Sequence, residues 1–286
     1  MDTNYRHCEN LVRVADKDRY LATLFAPTDR RGPLFALYAF SHEIATVRDR
    51  AREPMPGEIR LQWWRDVLGG ERGGEARANP VAAALMETVA RFALPVPRLL
   101  DLVEAHAFDL YDDPMANFDV LEGYLRHTSA TVFDLAALIC GGPAAYASER
   151  AGLAYGITAL LRGFALHASR RQLFVPTLFL EQGTTPEEIF AGQDSPWLVN
   201  ALGMLRTRAR QHLEAFESQL VGVPPAAMPA LLPVALVPGY LAVMEQNDYD
   251  PFRTAVEIPQ WRRQWTLWRA ARRYGRVMRD SVPLPQ

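Results

Sequence analysis

Lysine is all but missing from this 286-residue chain: Lys17 stands alone, and arginine supplies every other one of the 31 basic side chains. That bias reads first as codon usage rather than chemistry. Against 33 acidic residues it leaves a formal net charge of -2 and a pI near 6.3, so no global charge draws the chain toward nucleic acid. Cysteine is scarce too. Cys8 and Cys140 lie far apart, which gives no disulfide framework and no thiolate zinc site, and fits a reducing compartment. The first twenty residues mix both charges without an apolar run, which argues against a secretory signal or transit peptide. No unbroken apolar segment reaches the ~20 residues of a spanning helix. The most apolar candidate is interrupted by Pro229, Pro233 and Pro238, so the chain reads as soluble.

Strand signal is the last absence, and helical periodicity takes its place. Leu34, Leu37 and Tyr38, then Leu61, Trp64, Val67 and Leu68, recur at helical spacing. The same pattern predicts helices over Val81 to Phe92, Leu99 to Leu110, Phe118 to Ile139, Ala147 to Ser169, Pro186 to Phe190, Trp197 to Leu220, Ala227 to Gln246 and Pro259 to Met278. Gly, Pro and small polar residues predict loops at Gly69 to Pro80, Gly141 to Pro143, Gln193 to Pro196 and Gly222 to Pro225. With 49% hydrophobic residues and no long linker, a single all-α domain over residues 1–286 is expected.

Two stretches carry chemistry by what they omit. Tyr38 to Asp49 reads YAFSHEIATVRD, and Gly156 to Pro176 reads GITALLRGFALHASRRQLFVP. They resemble the two catalytic helices of the squalene and phytoene synthase family, of which the first runs roughly Y-x-F-C-R-x-x-D-D-x-x-D. Supporting segments are Tyr20-Leu21-Ala22, Arg60-Leu61-Gln62-Trp63-Trp64-Arg65, Asp109-Leu110 with Tyr124, and Tyr249-Asp250-Pro251-Phe252, so the match covers most of the chain. The resemblance implies an isoprenoid-synthase-like helical bundle around a central cavity. In that family the carboxylates hold magnesium ions, and these hold the diphosphate of a prenyl substrate as it leaves. Here Tyr38, Phe40 and Asp49 are kept. His42 takes the arginine position, Ala45 and Thr46 take the paired aspartates, and Gly163 and His167 take those of the second helix. The pattern of losses is most similar to the branch containing the assembly factor of respiratory complex I, whose members keep the fold without prenyl transfer.

Metal stabilisation of a departing anion is worth several kcal/mol, so its loss costs roughly a thousandfold or more in rate. Asp49 is the sole retained motif carboxylate, no residue is assigned a catalytic role, and no metal ligand set or cofactor is expected. Magnesium enters only if the chain is an active prenyl-diphosphate transferase acting on farnesyl or geranylgeranyl diphosphate. The remaining ligand-binding candidates are Tyr20, Tyr38, His42, Asp49, Asp109, Arg162, His167, Arg170 and Arg171. Arg170 and Arg171 suit either an anion pocket or a solvated helix end, where cations meet the macrodipole. His167 is either a ligand or general base, or a satisfied core histidine. Asp109 and Tyr124 read as core or cavity wall. The Asp112-Asp113 pair before Pro114 is a weak metal candidate and more a turn.

Trp261, Trp265 and Trp268 share a helix face flanked by Arg262 and Arg269. That face suits an anionic membrane surface or a partner, or else folds back on the core, which the resemblance favours. Three classes follow: an assembly or maturation factor for a complex I-like membrane complex, a prenyl-lipid binder, and an active synthase with an altered site. Complex I subunits or a prenyl lipid are the expected partners, and nucleic acid is not. The expected location is the cytoplasm, with peripheral contact at the inner membrane.

Overall fold

The computed structural model describes residues 3–51, 53–111, 113–180 and 183–280, with the side chains of Arg279 and Asp280 outside that set. Among the described residues there is no strand. The helices are α1 (Thr3–Ala15), α2 (Lys17–Thr23), α3 (Thr28–Ala45), α4 (Val47–Arg50), α5 (Pro54–Leu68), α6 (Gly73–Ala78), α7 (Pro80–Phe92), α8 (Val96–Ala105), α9 (Phe118–Leu125), α10 (Thr131–Cys140), α11 (Ala145–Arg162), α12 (Phe164–Ser169), α13 (Pro186–Phe190), α14 (Pro196–Ser218), α15 (Met228–Leu231), α16 (Val237–Val243) and α17 (Gln260–Asp280).

Two helices sit at the centre because their sequences are apolar all round. On α3 every residue from Gly32 to Ser41 is buried, with α1, α7 and α10 packed about it. On α11 the stretch from Ala151 to Thr158 is buried, and α14 lies along it. Gly152 sets a further packing of α11, against the turn before α10. A Cβ there would stand 2.2 Å from the Ala130 Cα, so the Arg126–Ala130 π-turn approaches α11 to a distance that only glycine permits. Trp64 of the Arg-Leu-Gln-Trp-Trp-Arg segment is fully buried, edge-on to Phe40 at 4.9 Å.

Local chemistry places the ends. Ser195 caps α14 by accepting from the Leu198 amide at 3.1 Å, and Thr185 with Glu188 forms a capping box on α13. Gly141 ends α10 at φ 118°, where a side chain would be strained.

Several boundaries differ from those the periodicity gives. Within the expected loop 69–80 lies α6, held because Arg72 bridges Asp66 and Glu75 at 2.8 and 3.1 Å while the Trp63 indole donates to Glu75. The expected helix Leu99 to Leu110 changes at His106 to a 3-10 turn, and Phe118 to Ile139 is interrupted by the π-turn. Ala147 to Ser169 breaks at Gly163. The three prolines divide Ala227 to Gln246 into short turns and helices. The segment Pro225–Val243, long and apolar enough by composition to cross a bilayer, is 61% buried in the fold.

Candidate functional site

The cavity arises where the break after α1, the end of α3, the π-turn, α11 and α17 converge. It has a volume of about 430 Å³. Ala45 and Ser41 of the first motif helix line it, as do Gly156, Leu160 and Arg162 of the second. Its charged walls come largely from elsewhere: Asp16, Lys17, Asp18 and Arg19 from the α1–α2 junction, and Glu257 and Arg263 from the C-terminal end.

Asp18 is the centre of this wall. Its carboxylate, 3% exposed, accepts from the Tyr240 hydroxyl at 2.8 and 2.9 Å and lies 2.7 Å from Arg263 Nε and 3.3 Å from Arg162. Burial and the neighbouring Asp16 push its pKa up, against the opposing pull of Arg162, Tyr240 and Arg263. Arg162 also stacks on the Tyr240 ring at 3.8 Å, and Arg263 donates to Glu257 at 3.1 Å. The network thus ties α2, α11, α16 and α17 together and satisfies its charges internally. Three polar atoms of the wall, Ser129 Oγ, Arg162 Nε and Arg263 Nε, are buried without a hydrogen-bond partner among the described residues, although Arg263 Nε is ion-paired to Asp18.

The first motif helix stops at Ala45, and Asp49 falls in α4, where it is held by an ion pair with Arg170. Thr46 donates its hydroxyl to the His42 carbonyl at 2.8 Å. His42 and His167 are both shifted toward the uncharged form, each chiefly by desolvation, with Arg50 adding to the effect at His42 and Arg170 at His167. This region is therefore less basic than its residue types suggest. His167 packs edge-on to Phe174 at 4.9 Å, and its ring fills the space a Cβ on Gly163 would enter, at 2.7 Å.

Asp109 forms a buried cluster behind the cavity. His106 Nδ1 lies 2.6 Å from its carboxylate, and the Tyr124 hydroxyl donates to it at 3.0 Å. Gln172 donates to its backbone carbonyl at 2.9 Å. His106 and Tyr124 face the cavity, while Asp109 stands behind them.

Of the candidates, the structure brings Asp49, Arg170, His167 and Asp109 to one end of the bundle and sets Arg162 in the cavity wall. Tyr38 is buried under the Arg19 guanidinium at 5.3 Å, and Tyr20 stacks on Phe35 at 5.7 Å. Arg171 takes a left-handed conformation at φ 58° and reaches out over Phe190 at 4.9 Å, outside the cavity. Asp112 of the Asp112-Asp113 pair lies outside the described residues. The three tryptophans of α17 do not fold back: Trp261, Trp265 and Trp268 are 66, 52 and 41% exposed.

The donor set does not fit a magnesium–diphosphate cluster. Among the described residues no three His, Cys, Asp or Glu side chains converge on a point that could hold a metal ion. The cavity carboxylates Asp18 and Glu257 are already paired to arginine, and Asp16 caps α2 by accepting from the Arg19 amide at 2.9 Å. Sequence reasoning missed Asp18, Arg19, Tyr240 and Arg263. The available signal was the dense charge run Asp16-Lys17-Asp18-Arg19 directly before Tyr20, but its partners lie more than a hundred residues away.

Residues 12–269 match the model of the squalene/phytoene synthase family. The NADH dehydrogenase (ubiquinone) complex I assembly factor 6 of Bos taurus is 27% identical over 275 residues, spanning 91% of this chain and 83% of the relative. A 15-cis-phytoene synthase of Synechococcus elongatus is 25% identical over 283 residues, 92% of this chain and 91% of that one. Among solved structures, a dehydrosqualene synthase in complex with ligand superposes with a TM-score of 0.82, covering 94% of this chain and 96% of that one at 17% identity. At that identity the likeness is one of fold: the isoprenoid-synthase helical bundle.

Proposed function

The chain belongs to the squalene/phytoene synthase family, and from that premise we propose that it is a non-catalytic member acting as an assembly or maturation factor for a complex I-like membrane complex. One observation carries the loss of catalysis: Asp49, the retained motif carboxylate, is taken up by Arg170, while Ala45, Thr46, Gly163 and His167 occupy the other ligand positions. The assembly role is supported by the likeness to complex I assembly factor 6 over most of both chains. In this reading the chain works in the cytoplasm and peripherally at the inner membrane, with complex I subunits as partners and without a metal cofactor.

A second reading is an active prenyl-diphosphate transferase. It draws on the cavity of about 430 Å³ and on the likeness to a phytoene synthase. A prenyl-lipid binder would use the same space, with Ser129 Oγ and Arg162 Nε available to a polar headgroup.

The test is diphosphate release from farnesyl and geranylgeranyl diphosphate with magnesium, beside the variant Ala45→Asp/Thr46→Asp/Gly163→Asp/His167→Asp. Gly163→Asp must be combined with His167→Asp, because the histidine ring occupies the new side chain's space. No turnover by the parent chain, together with co-purification of complex I subunits, is the expected outcome. Turnover by the parent chain would refute the non-catalytic reading. Absence of turnover with a bound isoprenoid and no complex I subunits would favour the lipid binder.

A further inference from the structure

The outward face of α17 combines an exposed aromatic stripe with a row of exposed arginines. At 100° per residue, Trp261, Trp265 and Trp268 fall within one narrow stripe, Arg272 lies within it, and Arg262, Arg269 and Arg276 border it on one side. All seven side chains are exposed. The opposite face, with Arg263, Leu267, Ala270, Tyr274 and Met278, is buried against the bundle, so the orientation of the helix is fixed and the stripe cannot turn inward. Trp265 and Trp268 are stacked at 4.9 Å, which presents a flat apolar surface.

The charges on this face are unspent. Arg273 is bound by Glu217 at 2.9 and 3.1 Å, but Arg262, Arg269, Arg272 and Arg276 make no ion pair with a carboxylate among the described residues. Arg262 and Arg272 instead lie over the Trp261 and Trp268 rings at 5.5 and 4.5 Å. The sequence of α17 holds seven arginines and one acidic residue, whereas the whole chain carries -2. A groove of about 620 Å³ runs beside Trp265, Trp268, Arg269, Arg272 and Arg276. A second, of about 390 Å³, lies on the other side of Trp268 against Phe25 and Met228.

We propose that this face of α17 docks the protein on an anionic lipid bilayer, with the tryptophans seated at the headgroup boundary and the free arginines on lipid phosphates. Charge complementarity selects that occupant. Indole rings prefer the interface, where one edge is apolar and the other wet, and arginines beside them reach phosphate bidentately. This inference stands independently of the assembly role, since an active synthase or a lipid carrier would use the same surface.

The experiment is co-sedimentation of the full chain with vesicles of phosphatidylcholine alone and of an equal mixture of phosphatidylcholine and phosphatidylglycerol. Two variants accompany it: Trp261→Ser/Trp265→Ser/Trp268→Ser and Arg269→Gln/Arg272→Gln/Arg276→Gln. Their side chains are exposed, and an unchanged thermal melt verifies the fold. The parent should bind the anionic vesicles and not the neutral ones, each variant should lose roughly tenfold or more in partitioning, and salt should weaken the parent's binding. Absence of binding to the anionic vesicles overturns the proposal. So does binding that both variants retain, or a face found buried in a dimer of this chain that forms in place of vesicle binding.

Discussion

Glu122 offers a quantitative test of how the wall of the cavity is held. It lies on α9, two residues before Tyr124, and its carboxylate is buried at 2% exposure. Arg208 Nε donates to it at 2.5 Å, His212 Nε2 at 3.0 Å and Arg126 at 3.1 Å, while His212 Nδ1 in turn accepts from Arg150 at 3.3 Å. Burial alone would raise its pKa, but the hydrogen bonds from His212 and Arg208 and the charge of Arg208 outweigh it and hold the group at about 2, against an ordinary 4.5. That difference corresponds to about 3 kcal/mol of stability at neutral pH. Arg208 and Arg126 are 37 and 43% exposed, so water screens part of it and about 2 kcal/mol is expected for Glu122→Gln. Because the folded-state pKa is depressed, the contribution is complete above about 4.5 and is lost as pH falls toward about 2. Urea unfolding of both proteins near pH 7 and near pH 3 measures it. The gap should narrow by roughly half at the lower pH. A gap unchanged by pH, or a Gln variant as stable as the parent at pH 7, would refute the electrostatic account.

Gly152→Ala should cost about 3 kcal/mol or abolish folding, because its Cβ would meet Ala130 backbone at 2.2 Å. Gly123→Ala, with nothing within 4 Å, should instead gain about 0.5–1 kcal/mol by thermal melt. Arg263→Met should destabilise by about 3 kcal/mol by leaving Asp18 short of a partner. Adding Asp18→Leu to it should recover part of that loss, and a double variant weaker than the single one in urea would contradict the paired-charge reading.

The helical class and the core faces were legible because 3.6-residue periodicity records burial directly: Leu61, Trp64, Val67 and Leu68 are all buried as their spacing implies. The missing motif aspartates were equally plain, since substitution of Ala45 or Gly163 for a carboxylate is a fact of composition. The interruptions were less visible. Glycine in a periodic run marks where a helix can break, as at Gly163, and only packing decides whether it does, while the π-turn Arg126–Ala130 carries neither glycine nor proline to announce it. The helix α6 went the other way, because Trp63 and Asp66 of the preceding helix supply partners that its own glycine-rich sequence does not advertise.

The sequence alone determined the fold class, the family and the absence of the aspartate pairs, because each is written in residue type and local spacing. Tertiary structure decided where charge ends up. Asp18, Arg162, Tyr240 and Arg263 are spread over more than two hundred residues and meet only when α2, α11, α16 and α17 converge. The same convergence turned one arginine of α17 inward to Asp18 and left the tryptophan stripe outside. Helical periodicity says which residues share a face, and only the packed bundle says which way that face points.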